Sequence, residues 1–215
     1  MHNWNETIKI FAGETLTILL RATGYTLFAV VLNVALLAVQ WELVYDLFSS
    51  SAPLVESWKS ILVIVGIVLF PALFFLFGQQ QALKSCVSNI IETKKHNVVL
   101  FLVNCVCTKY PELLEPSGSI QLNIKKVSEY FSEAMRGLPS VITKILQFFI
   151  AKTGFYDLFV NSMAECQQKL KEEPSENRAQ VLAQITANLI PSIVIKPDIM
   201  RPLIAFICNV ALFYL

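Results

Sequence analysis

The side chains best suited to metal or thiol chemistry are cysteines and histidines, and the chain has few of them. It contains 5 Cys and 2 His, and Cys105 and Cys107 are the closest pair of thiols. A tetrahedral zinc site needs about four such ligands at short spacings. The chain has no second close pair of cysteines, and His96 does not complete the set. The odd cysteine count favours reduced thiols that pack as small hydrophobic side chains. We therefore expect no metal and no cofactor.

Acid–base chemistry needs carboxylates or histidines placed beside a reactive group. Glu129 and Glu133 lie one helical turn apart, but on a polar face that is typical of solvent-exposed charges. The sequence has no Gly-x-x-x-x-Gly-Lys-Ser/Thr loop, no Gly-x-Gly-x-x-Gly, no His-Glu-x-x-His and no Gly-x-Ser-x-Gly. We therefore predict no catalytic residues and favour a non-enzymatic protein.

Arg21 is the most informative charged residue because it adjoins a long apolar run. A guanidinium costs ~2.5–3.5 kcal/mol at the centre of a membrane span, but little at the edge, where it reaches the headgroups. Thr17, Arg21 and Gly24 share one helix face that can meet a neighbour. We expect Arg21 to be a boundary anchor, and a contact with a pore or a substrate is the alternative.

Polar and helix-distorting residues lie deeper in the apolar runs. Asn33 needs a hydrogen-bond partner in hydrocarbon, and such a bond between helices contributes ~0.6–2 kcal/mol. Pro71 removes one helical hydrogen bond and crowds the carbonyl of Ile67, so we expect a kink there, with Gly66 nearby. The presence of Asn33 therefore indicates that this face of its helix packs against other helices.

These residues belong to two uncharged runs that predict membrane-spanning helices. The runs cover residues 22–41 and 60–80, and each approaches the length that a helix needs to cross ~30 Å of hydrocarbon. The first run exceeds the apolar core of a signal peptide, so we expect it to be retained. The alternative is a pair of buried core helices, which a soluble domain of 215 residues rarely accommodates. We therefore predict an integral membrane helical hairpin.

The residues that flank the two runs predict the orientation of the hairpin. Aromatic side chains that favour the headgroup level lie between the runs, and basic side chains lie mostly on the other side of each run. We therefore expect both termini in the cytoplasm. The predicted interface anchors are Arg21, Trp41, Tyr45, Trp58, Lys84, Lys94 and Lys95.

After the N-terminal segment and hairpin (residues 1–83), we expect a helical cytoplasmic domain over residues 84–201. Apolar residues from Ile120 to Leu138, including Ile124, recur at three- and four-residue spacing, which indicates an amphipathic helix. Thr153-Gly154 is expected to divide a mostly buried helix. The chain is therefore predicted to be all-α.

The last segment, residues 202–215, is apolar but too short to span a bilayer as a helix. We expect it to pack at the membrane on the hairpin or in an oligomer interface, and re-entry into the bilayer is the alternative.

Composition narrows the partners that we expect. The chain is 55% hydrophobic and 15% charged with a net charge of +1, which favours a lipid bilayer and argues against nucleic acid. The surplus of apolar surface predicts a homo-oligomer or a membrane protein partner. We therefore expect a membrane protein that self-associates or docks a partner through its helical cytoplasmic domain.

Two other functions fit the same topology. In a pore or transporter, Thr17, Arg21, Asn33 and the Pro71 carbonyl region would face an aqueous path. In a lipid-modifying enzyme, the basic residues Lys84, Lys94 and Lys95 would hold anionic headgroups.

Overall fold

The computed structural model describes residues 4–39, 45, 54–115, 123–175, 177–193 and 195–214, and their regular elements are all helical. This confirms the predicted all-α fold. The helices, in chain order, are α1 (Trp4–Val39), α2 (Leu54–Asn89), α3 (Lys95–Lys109), α4 (Ile124–Ala134), α5 (Ser140–Thr153), α6 (Phe155–Glu172), α7 (Arg178–Leu189) and α8 (Met200–Leu212). A π-helical turn, Ile90–Lys94, joins α2 to α3, and a 3-10 turn, Pro111–Leu114, follows α3.

Two helical stretches, Phe11–Val39 and Val63–Lys109, are long and apolar enough to cross a membrane. The chain also divides into two compact units. Residues Met1–Thr15 and Ser85–Ile195 form one, here called the bundle unit, and residues Leu16–Lys84 and Lys196–Leu215 form the other, here called the hairpin unit.

The bundle unit is a set of amphipathic helices around an aromatic core. Helix α3 packs against α4 and α7, and α6 packs against α4, α5 and α7. The ring of Phe131 meets those of Phe155 and Phe159 edge to face, at centroid distances of 5.2 and 5.1 Å. All three rings are fully buried, so this cluster contributes to the hydrophobic stabilisation of the unit.

Local sequence signals set the helix boundaries in the bundle unit. Gly154 has a φ of 64°, a left-handed conformation that favours glycine, and it separates α5 from α6 as Thr153-Gly154 predicted. Asn123 caps α4, because its side chain accepts a hydrogen bond from the backbone N–H of Lys126 at 2.8 Å.

The amphipathic stripe predicted around α4 is only partly buried. Val127 and Phe131 are buried, whereas Ile124 is 49% exposed because it lies in the first turn of the helix, at the edge of the packed face. Ile120 lies outside the described residues.

In the hairpin unit, the C-terminal helix α8 packs on both α1 and α2. Ala205 joins a buried cluster with Ala29, Phe70 and Phe74. Directly after α8, Phe213 is buried with Leu36 and Val63. Helix α8 therefore runs in the direction of α1 and opposite to α2.

The other faces of these three helices are apolar and uncovered. The exposed large hydrophobic side chains include Leu16, Leu19, Leu20, Leu27, Val31, Val34, Ile64, Val65, Val68, Leu69, Leu203, Ile204 and Ile207. In the described part of the bundle unit, only Ile124 and Leu189 are of this kind.

Candidate functional site

A buried polar contact joins the three helices of the hairpin unit. Pro71 has no backbone N–H, so the carbonyl of Ile67 lacks the donor that a helix ordinarily supplies four residues later. The Asn33 side-chain nitrogen, Nδ2, points to that carbonyl oxygen at 3.5 Å, which is long for a hydrogen bond. Asn209 Nδ2 donates to Asn33 Oδ1 at 2.7 Å. The two asparagines thus link α8 to α1, and α1 to the proline-freed carbonyl of α2.

Burial makes this contact specific. Asn33 is 2% exposed and Asn209 is fully buried. Asn209 Oδ1 has no hydrogen-bond partner among the described residues. An unpaired buried polar group costs ~1–3 kcal/mol. The hydrogen bond between Asn209 and Asn33 can form only in a narrow range of helix positions. The contact therefore fixes the register of α8 on the other two helices.

Small residues allow α1 and α2 to approach closely. A Cβ atom added at Gly78 would lie 2.8 Å from the Cα atom of Ala22, closer than side chains tolerate. Gly66 lies under Leu212 of α8 and beside Phe70. These glycines therefore serve the close packing of the helices.

One end of the hairpin unit carries polar and charged contacts. Gln81 donates to the carbonyl of Asp198 and accepts from its backbone N–H, the second bond at 3.1 Å. Asp198 also pairs with Arg201 at 3.2 Å. These bonds hold the start of α8 beside the part of α2 that lies close to Lys84.

At the same end lies an open groove of about 580 Å³ between α1, α2 and α8. The wall residues are almost entirely apolar or aromatic, and Arg21 is their one charged member. The lining consists of Arg21, Gly24, Tyr25, Phe28, Phe74, Ile199, Pro202, Leu203 and Phe206. The ring of Phe28 lies 6.1 Å from Phe74 and 6.3 Å from Phe206 between centroids, so aromatic side chains of all three helices meet in this wall.

Arg21 is exposed and forms no ion pair with any described residue. Its guanidinium carries five donors suited to carboxylate or phosphate oxygens. A cation beside an apolar groove can bind a molecule that combines an anionic group with a hydrocarbon part. Arg21, Tyr25 and Phe28 share a helix face through their spacing, a signal that the sequence contained and that the prediction of an anchor at Arg21 did not use.

Of the other predicted site residues, Gly24 lines the groove with Arg21. The rest do not line it: Thr17 is exposed on α1, Lys84 is half-buried, and Tyr45 is 68% exposed. Trp41 lies outside the described residues, as does the side chain of Trp58.

Lys94 and Lys95 are bound within the bundle unit. Lys94 Nζ pairs with Glu14 at 3.2 Å, and Asn89 Nδ2 donates to the same carboxylate oxygen at 2.9 Å. Lys95 Nζ donates to the carbonyl of Ile190 at 3.2 Å. These contacts, which lie at the π-helical turn, are structural, and no sequence pattern predicted them.

A second polar cluster lies on the surface of the bundle unit. Lys109 Nζ pairs with Glu133 at 2.8 Å, and the Tyr110 hydroxyl donates to the other oxygen of the same carboxylate. The hydrogen bond to Glu133 raises the pKa of Tyr110 from 10.0 to about 12. The hydrogen bond from Lys109, followed by that from Tyr110, lowers the pKa of Glu133. Glu129 has no part in these contacts.

The cysteines remain free thiols: Cys86, Cys107 and Cys166 are buried, Cys105 is half-buried and Cys208 is exposed. Within the described ranges, no group of three His, Cys, Asp or Glu side chains lies close enough to hold a metal ion.

Comparison of the chain with protein families, with curated proteins and with solved structures gives no match. The fold thus defines only a class: over the residues that the structure describes, the regular elements are helical, and two of the helices are able, by length and composition, to cross a membrane.

Proposed function

We propose that this is a non-enzymatic integral membrane protein that holds a compact helical domain at the membrane surface for self-association or for docking a protein partner. In this proposal, the hairpin unit lies in the bilayer and the bundle unit lies in water. The observation that carries it is the concentration of exposed apolar side chains in the hairpin unit.

The distribution of exposed side chains supports lipid as the solvent of the hairpin unit. Val31, Val34 and Val68 are each at least 60% exposed, on helices of membrane-spanning length. In water, a surface of this kind would be an aggregation hazard, whereas hydrocarbon solvates it at no cost. The bundle unit presents polar side chains instead.

The division of the chain into two compact units supports two crossings of the membrane. The residues before the hairpin, up to Thr15, and those after it, from Ser85, belong to one compact unit. In this proposal the unit lies on one side of the bilayer, so the chain between these segments crosses the membrane an even number of times. By the excess of basic residues near Lys9, Arg21 and Lys84, that side is the cytoplasm.

Membrane residence is tested first, in membranes that contain the intact protein. The protein is expected to stay with the membrane through alkaline carbonate washing and to enter solution only with detergent. A compact particle in buffer without detergent would refute the proposal.

Topology is tested by cysteine labelling in a background that lacks the native cysteines. A cysteine at Tyr45 is expected to react with an impermeant reagent from outside, and one at the exposed Glu112 only after permeabilisation. Equal reactivity at both positions would contradict the two-span arrangement.

Self-association or partner docking is tested by chemical crosslinking in the membrane and by sedimentation in detergent. A dimer, a higher oligomer or a specific crosslinked partner is expected. A monodisperse monomer without a crosslinked partner would leave the anchor but remove the proposed interaction.

The alternative function, a pore or transporter, makes a different prediction for Asn33. Its burial against Asn209 favours a packing role over contact with an aqueous path. We therefore expect no flux in liposomes that contain the protein. Flux that disappears in Asn33→Leu while the oligomer persists would reverse this preference.

A further inference from the structure

We infer that the groove beside Arg21 binds one anionic phospholipid of the surrounding bilayer, with its phosphate on Arg21 and an acyl chain along the aromatic wall. This inference rests on the proposed residence of the hairpin unit in a membrane. It adds a ligand, a binding site and a specificity that the anchor function does not require.

The headgroup assignment follows from charge. Arg21 is the one charged residue of the groove lining, and no carboxylate among the described residues pairs with it. Asp198, the acidic side chain nearest in sequence to the lining residue Ile199, is already paired with Arg201. The groove therefore presents net positive charge, and phosphate is bound well by the forked donors of a guanidinium.

The acyl-chain assignment follows from the rest of the lining. Apart from Arg21, the wall consists of Gly24, Tyr25 and aliphatic or phenyl side chains. Phe28 is 52% exposed and Leu203 is 47% exposed, so the groove is open along its length. A volume of about 580 Å³ lies in the range of small-molecule sites, which is ~300–1,000 Å³. A water-soluble phosphate ester would leave this apolar surface uncovered.

The location of the groove favours a lipid over a soluble anion. Arg21 lies where the uncharged run of α1 begins, and the groove residues Gly24, Tyr25 and Phe28 follow it into that run. A lipid in the same leaflet would thus have its phosphate at the level of Arg21 and its chain beside Phe28 without leaving the bilayer.

The test uses the full-length protein in vesicles that contain equal amounts of phosphatidylcholine and phosphatidylglycerol. The protein is extracted in a mild detergent, and the retained lipid is identified by native mass spectrometry. We expect one phosphatidylglycerol per chain, retained in preference to phosphatidylcholine. Arg21→Gln is expected to lower this preference about tenfold or more, the loss that corresponds to a charge-assisted hydrogen bond.

A matched control separates site from surface charge. Lys196→Gln removes a cation from the same unit, but Lys196 is exposed and outside the groove lining, so the preference should persist. Equal losses in both variants would show general attraction of anionic lipid and overturn the site. Retention of phosphatidylcholine at the same level would also overturn it.

A second variant fills the groove without touching Arg21. A Cβ atom added at Gly24 meets no atom within 4 Å, so Gly24→Leu places its side chain in open space. This variant should lose the bound lipid while its helical content and unfolding midpoint stay unchanged. Gly13→Leu is the control, because Gly13 on the same helix also has open space around its Cβ position and lies outside the groove.

Two further readouts distinguish a bound lipid from a failure of membrane insertion and from a contact between two chains. Carbonate resistance, measured for each variant, should stay that of the wild type, so loss of lipid with retained residence would separate this inference from the anchor proposal. A crosslink between two chains from a cysteine placed at Leu203, formed in place of lipid retention, would assign the groove to a second copy and overturn the inference.

Discussion

The bundle unit and the hairpin unit are both made of helices, yet they distribute their apolar side chains in opposite ways. In the bundle unit, Phe131, Phe155 and Phe159 are fully buried in one cluster and the outward faces are polar. In the hairpin unit, small residues such as Ala22, Ala29 and Ala205 lie between the helices together with a few buried rings such as Phe74, and many large aliphatic side chains are exposed. Two units with the same helical content can therefore differ completely in how much apolar surface they leave exposed.

The largest effect is expected from truncation in the aromatic core of the bundle unit. Phe155→Ala should lower the free energy of unfolding by ~3–5 kcal/mol, because it leaves a cavity among buried rings. Leu27→Ala, at a position 59% exposed in the hairpin unit, should change it by less than ~0.5 kcal/mol. Denaturant unfolding in detergent, followed by circular dichroism, measures both. Similar losses would mean that the two units do not differ as described.

A lysine on each exposed surface distinguishes water from lipid directly. Val31 is 65% exposed, so Val31→Lys would be harmless in water but should cost ~2.5–3.5 kcal/mol near the middle of a span. The fraction of chains that resist carbonate extraction measures the cost. Ile124→Lys, in the bundle unit, is the control and should have no effect. If Val31→Lys inserts as well as this control, lipid does not surround that face.

The asparagine contact should contribute a smaller amount. Asn209→Leu removes the donor to Asn33 Oδ1 and is expected to cost ~0.6–2 kcal/mol of the stability of the hairpin unit. Asn33→Leu should cost a similar amount, and the double variant should cost less than the sum, because it leaves no unpaired amide. Unfolding by dodecyl sulfate in mixed micelles measures the free energy of unfolding of the wild type, the two single variants and the double variant. Strict additivity would contradict the contact.

The smallest effect is a titration at the surface of the bundle unit. Because the pKa of Tyr110 is raised to about 12 in the folded state, its hydrogen bond to Glu133 stabilises the fold fully below pH 10 and is lost as the pH rises through about 12. The pKa of Glu133 is lowered, so its contribution is present above its ordinary value of 4.5 and is lost as the pH falls through the lowered pKa.

Ultraviolet titration of phenolate, taken as the difference between wild type and Tyr110→Phe, measures the first of these shifts. In Glu133→Gln, the pKa of Tyr110 should move back towards 10. Glu129→Gln is the control, since Glu129 takes no part in the shift. An unchanged pKa in Glu133→Gln would rule out the carboxylate as the cause.

Much of the fold was predictable because it follows from local patterns. The two long apolar helices follow from uncharged runs, and the break at Gly154 follows from the conformational freedom of glycine. The need of Asn33 for a partner was also predictable. Its partner was not, because Asn209 lies 176 residues away and no local pattern pairs the two.

The candidate groove could not be predicted from the sequence for a related reason. Its wall needs α8 beside α1 and α2, and packing on the hairpin was only one of several positions that the sequence allowed for the last segment. The contacts of Lys94 and Lys95 could not be predicted either, because the Glu14 carboxylate and the Ile190 carbonyl are brought close to them only by the fold of the bundle unit. The role of these lysines as interface anchors stays a prediction.

The distance along the chain between Asn33 and Asn209 has a consequence for biogenesis. A ribosome adds ~5–20 residues per second, so the 176 residues between them take on the order of 10 to 40 seconds to synthesise. During that interval, the nascent hairpin would have Asn33 without its partner Asn209, and the surface on which α8 packs would be uncovered. In the proposed membrane protein, this unfinished two-helix state would last until the bundle unit and α8 have been translated.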